Sequence, residues 1–192
     1  MSTLVDLYEK NKHTTDKHGA HTYLEVYDEI FHRLKEGENR ILEVGVYQGD
    51  SLNLWAEYFT NSKIYGIDQD TSQICIELHE NVKVVKASAY NPRMLNKLKR
   101  SDKFNIIIDD GSHMVVHQKF VIRNYCSALT DDGILVIEDI TIGNANSCCI
   151  PDIQELIDCF PEELRKYVYY IDMRRENLEN NLLLICDKGR KI

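Results

Sequence analysis

Arg40-Ile41-Leu42-Glu43-Val44-Gly45-Val46-Tyr47-Gln48-Gly49-Asp50-Ser51 is a short apolar run that ends in a Gly-x-x-x-Gly turn and opens onto a helical pattern. A run this short, bounded by glycine, reads as a buried strand feeding a helix. The same unit recurs downstream. Residues 63–68, 82–86, 104–109 and 133–138 are further apolar runs. Residues 50–59, 71–80, 92–99 and 113–129 between them carry apolar side chains at helical spacing. Asp50, Thr71 and Asn91 stand where helix N-caps are expected. Strand and helix in strict alternation mean βαβ units, a parallel sheet and a doubly wound α/β sandwich.

The two ends depart from this alternation. Leu24, Tyr27, Ile30, Phe31 and Leu34 recur at helical spacing, so a helix precedes the first strand. Residues 167–171 and 181–186 are apolar runs separated by a stretch too polar for a crossover helix, which reads as an antiparallel hairpin closing the sheet. Five parallel strands followed by such a hairpin resemble the Rossmann-like sandwich of class I methyltransferases. That resemblance implies a seven-stranded sheet in the order 3-2-1-4-5-7-6 with the last strand antiparallel. One domain is expected over residues 1–192, with 1–38 a helical lead or lid and 39–192 the α/β core.

Composition narrows the partners. Lys and Arg total 23 against 31 Asp and Glu, a formal net charge of -8, which disfavours a nucleic-acid backbone. The basic clusters Lys97-Leu98-Lys99-Arg100, Arg174-Arg175 and Lys188-Gly189-Arg190-Lys191 are short and read as solvated ends and tips. No apolar run approaches the roughly 18–20 residues that span a bilayer, and the first residues lack the pattern of a signal peptide, so a cytoplasmic protein is expected. The six cysteines include no Cys-x-x-Cys pair and are expected as reduced, mostly core, thiols. The adjacent Cys148 and Cys149 would bridge each other only with strain.

Open α/β sheets bind ligands at the carboxyl ends of their strands, where strand order reverses. At the first strand's end, Gly45 and Gly49 let backbone approach a ligand, and Tyr47 and Ser51 belong to the same turn. Asp68 lies 23 residues after Gly45, close to the spacing at which a carboxylate bonds a ribose diol. The turn lacks the Gly-x-Gly-x-x-Gly form that seats a pyrophosphate, and Glu43 would repel one. A cationic nucleoside without phosphate, S-adenosylmethionine, fits that set.

Asp109, Asp110, Glu138 and Asp139 fall at the ends of two strands expected to be neighbours, about 4.8 Å apart. Converging carboxylates need a cation, and oxygen donors suit Mg2+ or Mn2+. Asp110, Glu138 and Asp139 are the expected metal ligands, with Asp109 turned to the cofactor. His113, at the expected start of a helix whose dipole favours a neutral imidazole, is the expected base, alongside Asp110 as the second catalytic residue. His113-x-x-x-His117 lacks the intervening Glu of a zinc-protease helix.

Three stretches together resemble the metal-dependent sugar O-methyltransferases of the macrocin and mycinamicin type, and also the methyltransferase domain of glycan-building proteins of large algal viruses. They are Thr15-Asp16-Lys17-His18 continuing to Tyr23 and Tyr27, Ile41 to Gly45 running through Tyr65-Gly66-Ile67-Asp68, and Ile108-Asp109-Asp110-Gly111-Ser112-His113 followed by Val136-Ile137-Glu138-Asp139. The resemblance implies methyl transfer to a hydroxyl of a sugar or glycan, with His113 as base. Where family members carry Gly-Asp after the third strand, this chain has Ala87-Ser88, so Ser88 is the residue left to meet the adenine. Asp16, Lys17, His21 and Tyr23 are expected to close the site over the substrate. A catechol-type O-methyltransferase and a silent nucleoside-binding subunit of a glycan-synthesis complex are the alternatives, and a homo-oligomer is left open.

Overall fold

A computed structural model describes residues 2–100, 103–143, 148–175 and 179–190. Lys191, the last of the basic tail cluster, lies outside them. The main sheet is built from β1 (Arg40–Val44), β2 (Lys63–Asp68), β3 (Val82–Lys86), β4 (Phe104–Asp109), β5 (Leu129–Ile137), β8 (Val168–Asp172) and β9 (Leu182–Asp187). Its order is β3-β2-β1-β4-β5-β9-β8. Two-residue strands β6 (Thr141–Ile142) and β7 (Cys149–Ile150) pair, among the described residues, only with each other. Within the sheet, then, β8 and β9 are the sixth and seventh strands, and the expected order 3-2-1-4-5-7-6 stands. β9 runs antiparallel to both of its neighbours.

Both faces of the sheet are covered, which is why its central strands read as unbroken apolar runs. The period-2 pleat sends Leu42, Val44, Ile107 and Leu135 to one face, against Val121, Ile122 and Tyr125 of α5 (Val115–Tyr125). Ile41, Ile106, Ile108 and Val136 go to the other face. There they meet Leu24, Tyr27 and Phe31 of α2 (Tyr23–Phe31), and Leu52 and Trp55 of α3 (Asp50–Tyr58). A further helix, α1 (Leu4–Asn11), starts with a reciprocal Thr3–Asp6 capping box. Asn91 caps α4 (Pro92–Lys99) as expected, accepting from Arg93 N at 2.9 Å. Among the described residues no helix is long and apolar enough to cross a membrane.

Several sequence expectations need correction. No helix fills 71–80. A single 3-10 turn, Thr71–Gln73, is capped by Asp70 and not by Thr71, and the chain then runs non-helically to β3. Asn53 of α3 braces the end of this stretch: its amide nitrogen donates to Glu77 O (2.8 Å) and its oxygen accepts from His79 N (3.0 Å). Gly49, with φ 90°, holds the N-cap position of α3, and the Asp50 carboxylate instead reaches His13, Thr14 and Thr15. α5 begins only at Val115, because His113 has φ 55° and does not join a helix, and it ends at Tyr125, where a 3-10 turn over Cys126–Ala128 leads into β5. Of the cysteines, Cys126 and Cys186 are buried, whereas Cys75 and Cys148 are exposed.

Candidate active site

The carboxyl ends of β1, β2 and β4 open onto a cleft of about 470 Å³. Gly45, Tyr47, Gly49 and Ser51 line it from the first turn, Asp68 and Ser88 from the second and third strands, and Asp110 and His113 from the fourth. Asp16 and its neighbours Thr14 and Thr15 form another wall. Gly45 is required by proximity. It adopts φ 90°, and a Cβ there would lie 1.9 Å from the Asp110 carbonyl oxygen. The Asp68 carboxylate stiffens the same turn: one oxygen accepts from Val46 N (2.8 Å) and Tyr47 N (3.3 Å), the other from Asp70 N (2.9 Å).

Two expected cofactor contacts lie beneath this cleft, not in its lining. Asp109 is 3% exposed, under Gly111 and beside Tyr90, and burial pushes its carboxyl up to about 8. Glu43 is fully buried. It accepts from Ser51 Oγ at 2.8 Å, and burial, only partly offset by Lys17, raises it to about 7.

Lys17, expected at the lid, is instead a fully buried cation at the centre of the strand ends. Its Nζ donates to Asp110 Oδ2 at 2.5 Å and to both oxygens of Glu138 at 2.8 Å, and lies 3.4 Å from Glu43 Oε1. Burial opposes its charge, but the three carboxylates outweigh it and hold the ammonium well above its usual range. Glu138, 2% exposed, also accepts from Tyr27 Oη at 2.5 Å. Both oxygens of Glu138 are thus engaged from within, and one ligand atom from each of Glu43, Asp110 and Glu138 lies within 4.8 Å of the others.

Asp139 is supported from behind by the other two expected lid residues. Tyr23 Oη donates to its Oδ1 at 2.6 Å, and His21 Nε2 lies 3.7 Å from the same oxygen. Both side chains are buried, so neither covers the mouth. Its Oδ2 faces His113 Nε2 at 3.5 Å, and Asp110 Oδ1 lies 4.0 Å from the same nitrogen. Each aspartate therefore has one oxygen held from the protein side and the other toward His113; Asp110 lines the cleft, whereas Asp139 is buried behind it. One ligand atom from each of Asp110, His113 and Asp139 lies within 4.8 Å of the others. Oxygen donors at that spacing fit a hard divalent ion. His113 holds its place through its left-handed turn, two residues ahead of α5, and not as part of the helix end. His117 turns elsewhere: it stacks on Tyr90 at 3.8 Å and bonds Ser112 Oγ at 2.6 Å.

Lys17 at the centre of the cluster and the hydroxyls of Tyr23 and Tyr27 on its carboxylates were missed by sequence reasoning. The signal that pointed to Lys17 was an excess of four carboxylates at adjacent strand ends. Both tyrosines stand in the stretch that carries the resemblance, with Tyr23 expected at the lid, but nothing local showed that their hydroxyls would meet the strand-end carboxylates.

Sheet order, the glycine turn at the strand-order reversal and the carboxylate-lined cleft define the class I methyltransferase fold. No family model matches the chain. A methyltransferase of the mycinamycin biosynthetic pathway, solved in complex with Mg and SAH, superposes with a TM-score of 0.75 at 24% identity, covering 98% of this chain and 54% of that one. Among curated proteins, the 8-demethyl-8-(2-methoxy-alpha-L-rhamnosyl)-tetracenomycin-C 3'-O-methyltransferase of Streptomyces olivaceus is 32% identical over 138 residues, 67% of this chain and 35% of that protein. Demethylmacrocin O-methyltransferase of Streptomyces fradiae is 31% identical over 139 residues, 68% of this chain and 35% of that protein. The chain is thus a homologue of the macrocin-, mycinamicin- and tetracenomycin-type sugar O-methyltransferases. It spans about a third of the length of these curated relatives.

Proposed function

We propose that the protein is an S-adenosylmethionine-dependent, divalent-metal-assisted O-methyltransferase acting on a hydroxyl of a sugar or glycan, with residues 1–192 working as one domain. The observation that carries this reading is the pair Asp110 and Asp139, each anchored by one oxygen and turning the other toward His113, which lines the cleft with Asp110. When bound, S-adenosylmethionine supplies the methyl group and Mg2+ or Mn2+ acts as a Lewis acid that lowers the pKa of the acceptor hydroxyl.

The chain's own contribution is positional. Asp68 meets the ribose, Ser88 lies toward the adenine, and the open backbone of Gly45, Tyr47 and Gly49 receives the amino-acid end. Asp110 and Asp139 hold the ion by oxygen, which Mg2+ prefers, and this leaves the His113 imidazole for the proton. His113 Nε2 takes the hydroxyl proton as the acceptor oxygen forms its bond to the methyl carbon and the carbon–sulfur bond breaks, its electron pair returning to sulfur. Asp109 and Glu43 support the floor of the site. Residues 14–16 wall the cleft.

Charge supports an uncharged or cationic acceptor over nucleic acid, since the opening is framed by carboxylates and the chain carries a net -8. The test is radiolabelled methyl transfer across a panel of rhamnosides, other glycosides and catechols. Label in the glycosides is expected. Label only in catechols would overturn the acceptor assignment, and cofactor binding with no label in any acceptor would overturn the enzymatic one.

A further inference from the structure

His13 is a buried histidine that takes no part in the proposed chemistry, yet it adjoins the residues that wall the cleft. α1 stops at Lys12 in a left-handed turn (φ 58°), and His13 N donates back to Tyr8 O at 3.0 Å, which sends the following residues to the N-terminus of α3. Both ring nitrogens there face carboxylates: Nδ1 lies 2.8 Å from Asp50 Oδ1, and Nε2 lies 3.0 Å from Glu57 Oε2. Only an imidazolium donates from both nitrogens; a neutral ring turns a lone pair toward one of the two carboxylates. The second Asp50 oxygen accepts from the backbone N–H of Thr14 and, at 2.8 Å, from that of Thr15. Thr14, Thr15 and Asp16 line the cleft together with Gly49 and Asp50.

We propose that His13, in its charged form, is a positioning residue for S-adenosylmethionine: it holds Asp50 against Thr14 and Thr15 and so fixes the wall of the cleft that the cofactor meets. The inference rests on the cleft being the cofactor site, as proposed above. The same carboxylates tie in the neighbouring chain, since Asn11 Nδ2 donates to Glu57 Oε2 at 2.6 Å, and His21 N donates to Asp16 O at 2.9 Å to close the far end of the segment. The titratable groups that face His13 are Asp50 and Glu57 from α3 and Tyr8 from α1, with His79, ahead of β3, 3.4 Å from the other oxygen of Glu57. Burial opposes the charge on His13, but the two carboxylates outweigh it and raise the imidazole above 6.5, while Asp50 and Glu57 are themselves lowered. As pH rises through that raised value, one carboxylate loses its donor and the wall loosens, so cofactor affinity falls.

The experiment is calorimetric titration of the full chain with S-adenosylhomocysteine between about pH 6 and about pH 9, with a thermal melt at each pH, in the wild type, His13→Gln and Glu57→Gln. His13→Gln keeps a polar side chain without the charge. It is expected to bind at least about fivefold more weakly than the wild type at about pH 6 and to converge with it at about pH 9; comparing the two cancels the titration of the ligand's own amine. Glu57→Gln removes one of the carboxylates that raise His13. It is expected to match the wild type at about pH 6 and to lose affinity at a lower pH than the wild type does. Equal affinities of wild type and His13→Gln at every pH, with only the melting midpoint lowered, would overturn the inference and leave His13 a structural residue. Should His13→Gln not fold, an unchanged affinity profile in Glu57→Gln would overturn it equally. A wild type that binds no S-adenosylhomocysteine at any pH would overturn the cofactor reading itself, and the inference with it.

Discussion

Replacing Gly45 with alanine probes how tightly the first and fourth strand ends interlock. The new Cβ would sit 1.9 Å from the Asp110 carbonyl oxygen and 2.6 Å from its carbon, so the two strand ends must part by about 1.1 Å to reach even the 3.0 Å limit of real contacts. They cannot part without loss. Asp110 N donates to Val44 O at 2.8 Å, and Gly45 N donates to Ile67 O at 3.0 Å. The residue also keeps φ 90°, which costs an L-amino acid roughly 1–2 kcal/mol, and overpacking adds about 1–3 kcal/mol. A total near 3 kcal/mol lowers the thermal midpoint of a chain this size by roughly 6–12 °C. Differential scanning fluorimetry with circular dichroism reads this directly. A midpoint within about 2 °C of wild type would refute the interlock, and with it the account of how Asp110 is held at the mouth of the cleft.

Three further outcomes are expected. Asp68→Ala should weaken S-adenosylhomocysteine binding at least about tenfold by calorimetry, roughly 1.4 kcal/mol, since a charged partner to a hydroxyl is lost and the turn it braces is loosened; unchanged affinity would remove Asp68 from the ribose. His113→Ala should lower turnover by about 10²-fold or more with cofactor affinity nearly unchanged, because a base acts on the transition state; normal turnover would make His113 structural. The third concerns His13, whose Nδ1 meets Asp50 at 2.8 Å and Nε2 meets Glu57 at 3.0 Å. Burial opposes its charge, but the two carboxylates raise it above 6.5, while their own values are lowered. The contribution of His13 to stability is therefore full below pH 6.5 and lost as pH rises through its raised value, whereas that of Asp50 and Glu57 is lost on acidification. His13→Gln should flatten the alkaline side of a plot of thermal midpoint against pH, and an unchanged slope there would contradict the assignment.

The sheet was legible because its central strands are buried on both faces and so spell continuous apolar runs, and because a polar stretch after Asp172 excludes a crossover helix. Where a helix over 71–80 was expected, Glu77 O and His79 N are instead bonded by Asn53 on a different helix, a contact no local pattern carries. Asp50 looked like a cap and proved to be an anchor for residues 13–15, again through contacts distant in sequence. The strand-end carboxylates were readable as a group, since adjacency of β4 and β5 follows from the topology. Which way each pointed was not. Glu138 and Asp139 are consecutive but lie past the end of β5, and Asp139 turns left-handed at φ 55°, so the two part, one to Lys17 and Tyr27, the other to Tyr23 and His113. Lys17, flanked by Asp16 and His18, reads locally as a solvated charge, and only the tertiary fold reveals it as the cation of the cluster.

The most direct test of a metal-assisted methyl transfer at Asp110 and Asp139 is turnover on a glycoside acceptor in excess chelator, followed by back-titration with Mg2+ or Mn2+. Activity should vanish in chelator and return with the ion in the wild type, while Asp139→Asn, which keeps the shape of the side chain and the fold, should stay far below wild type at any ion concentration. Full activity in chelator would contradict the account and leave His113 to work without a metal.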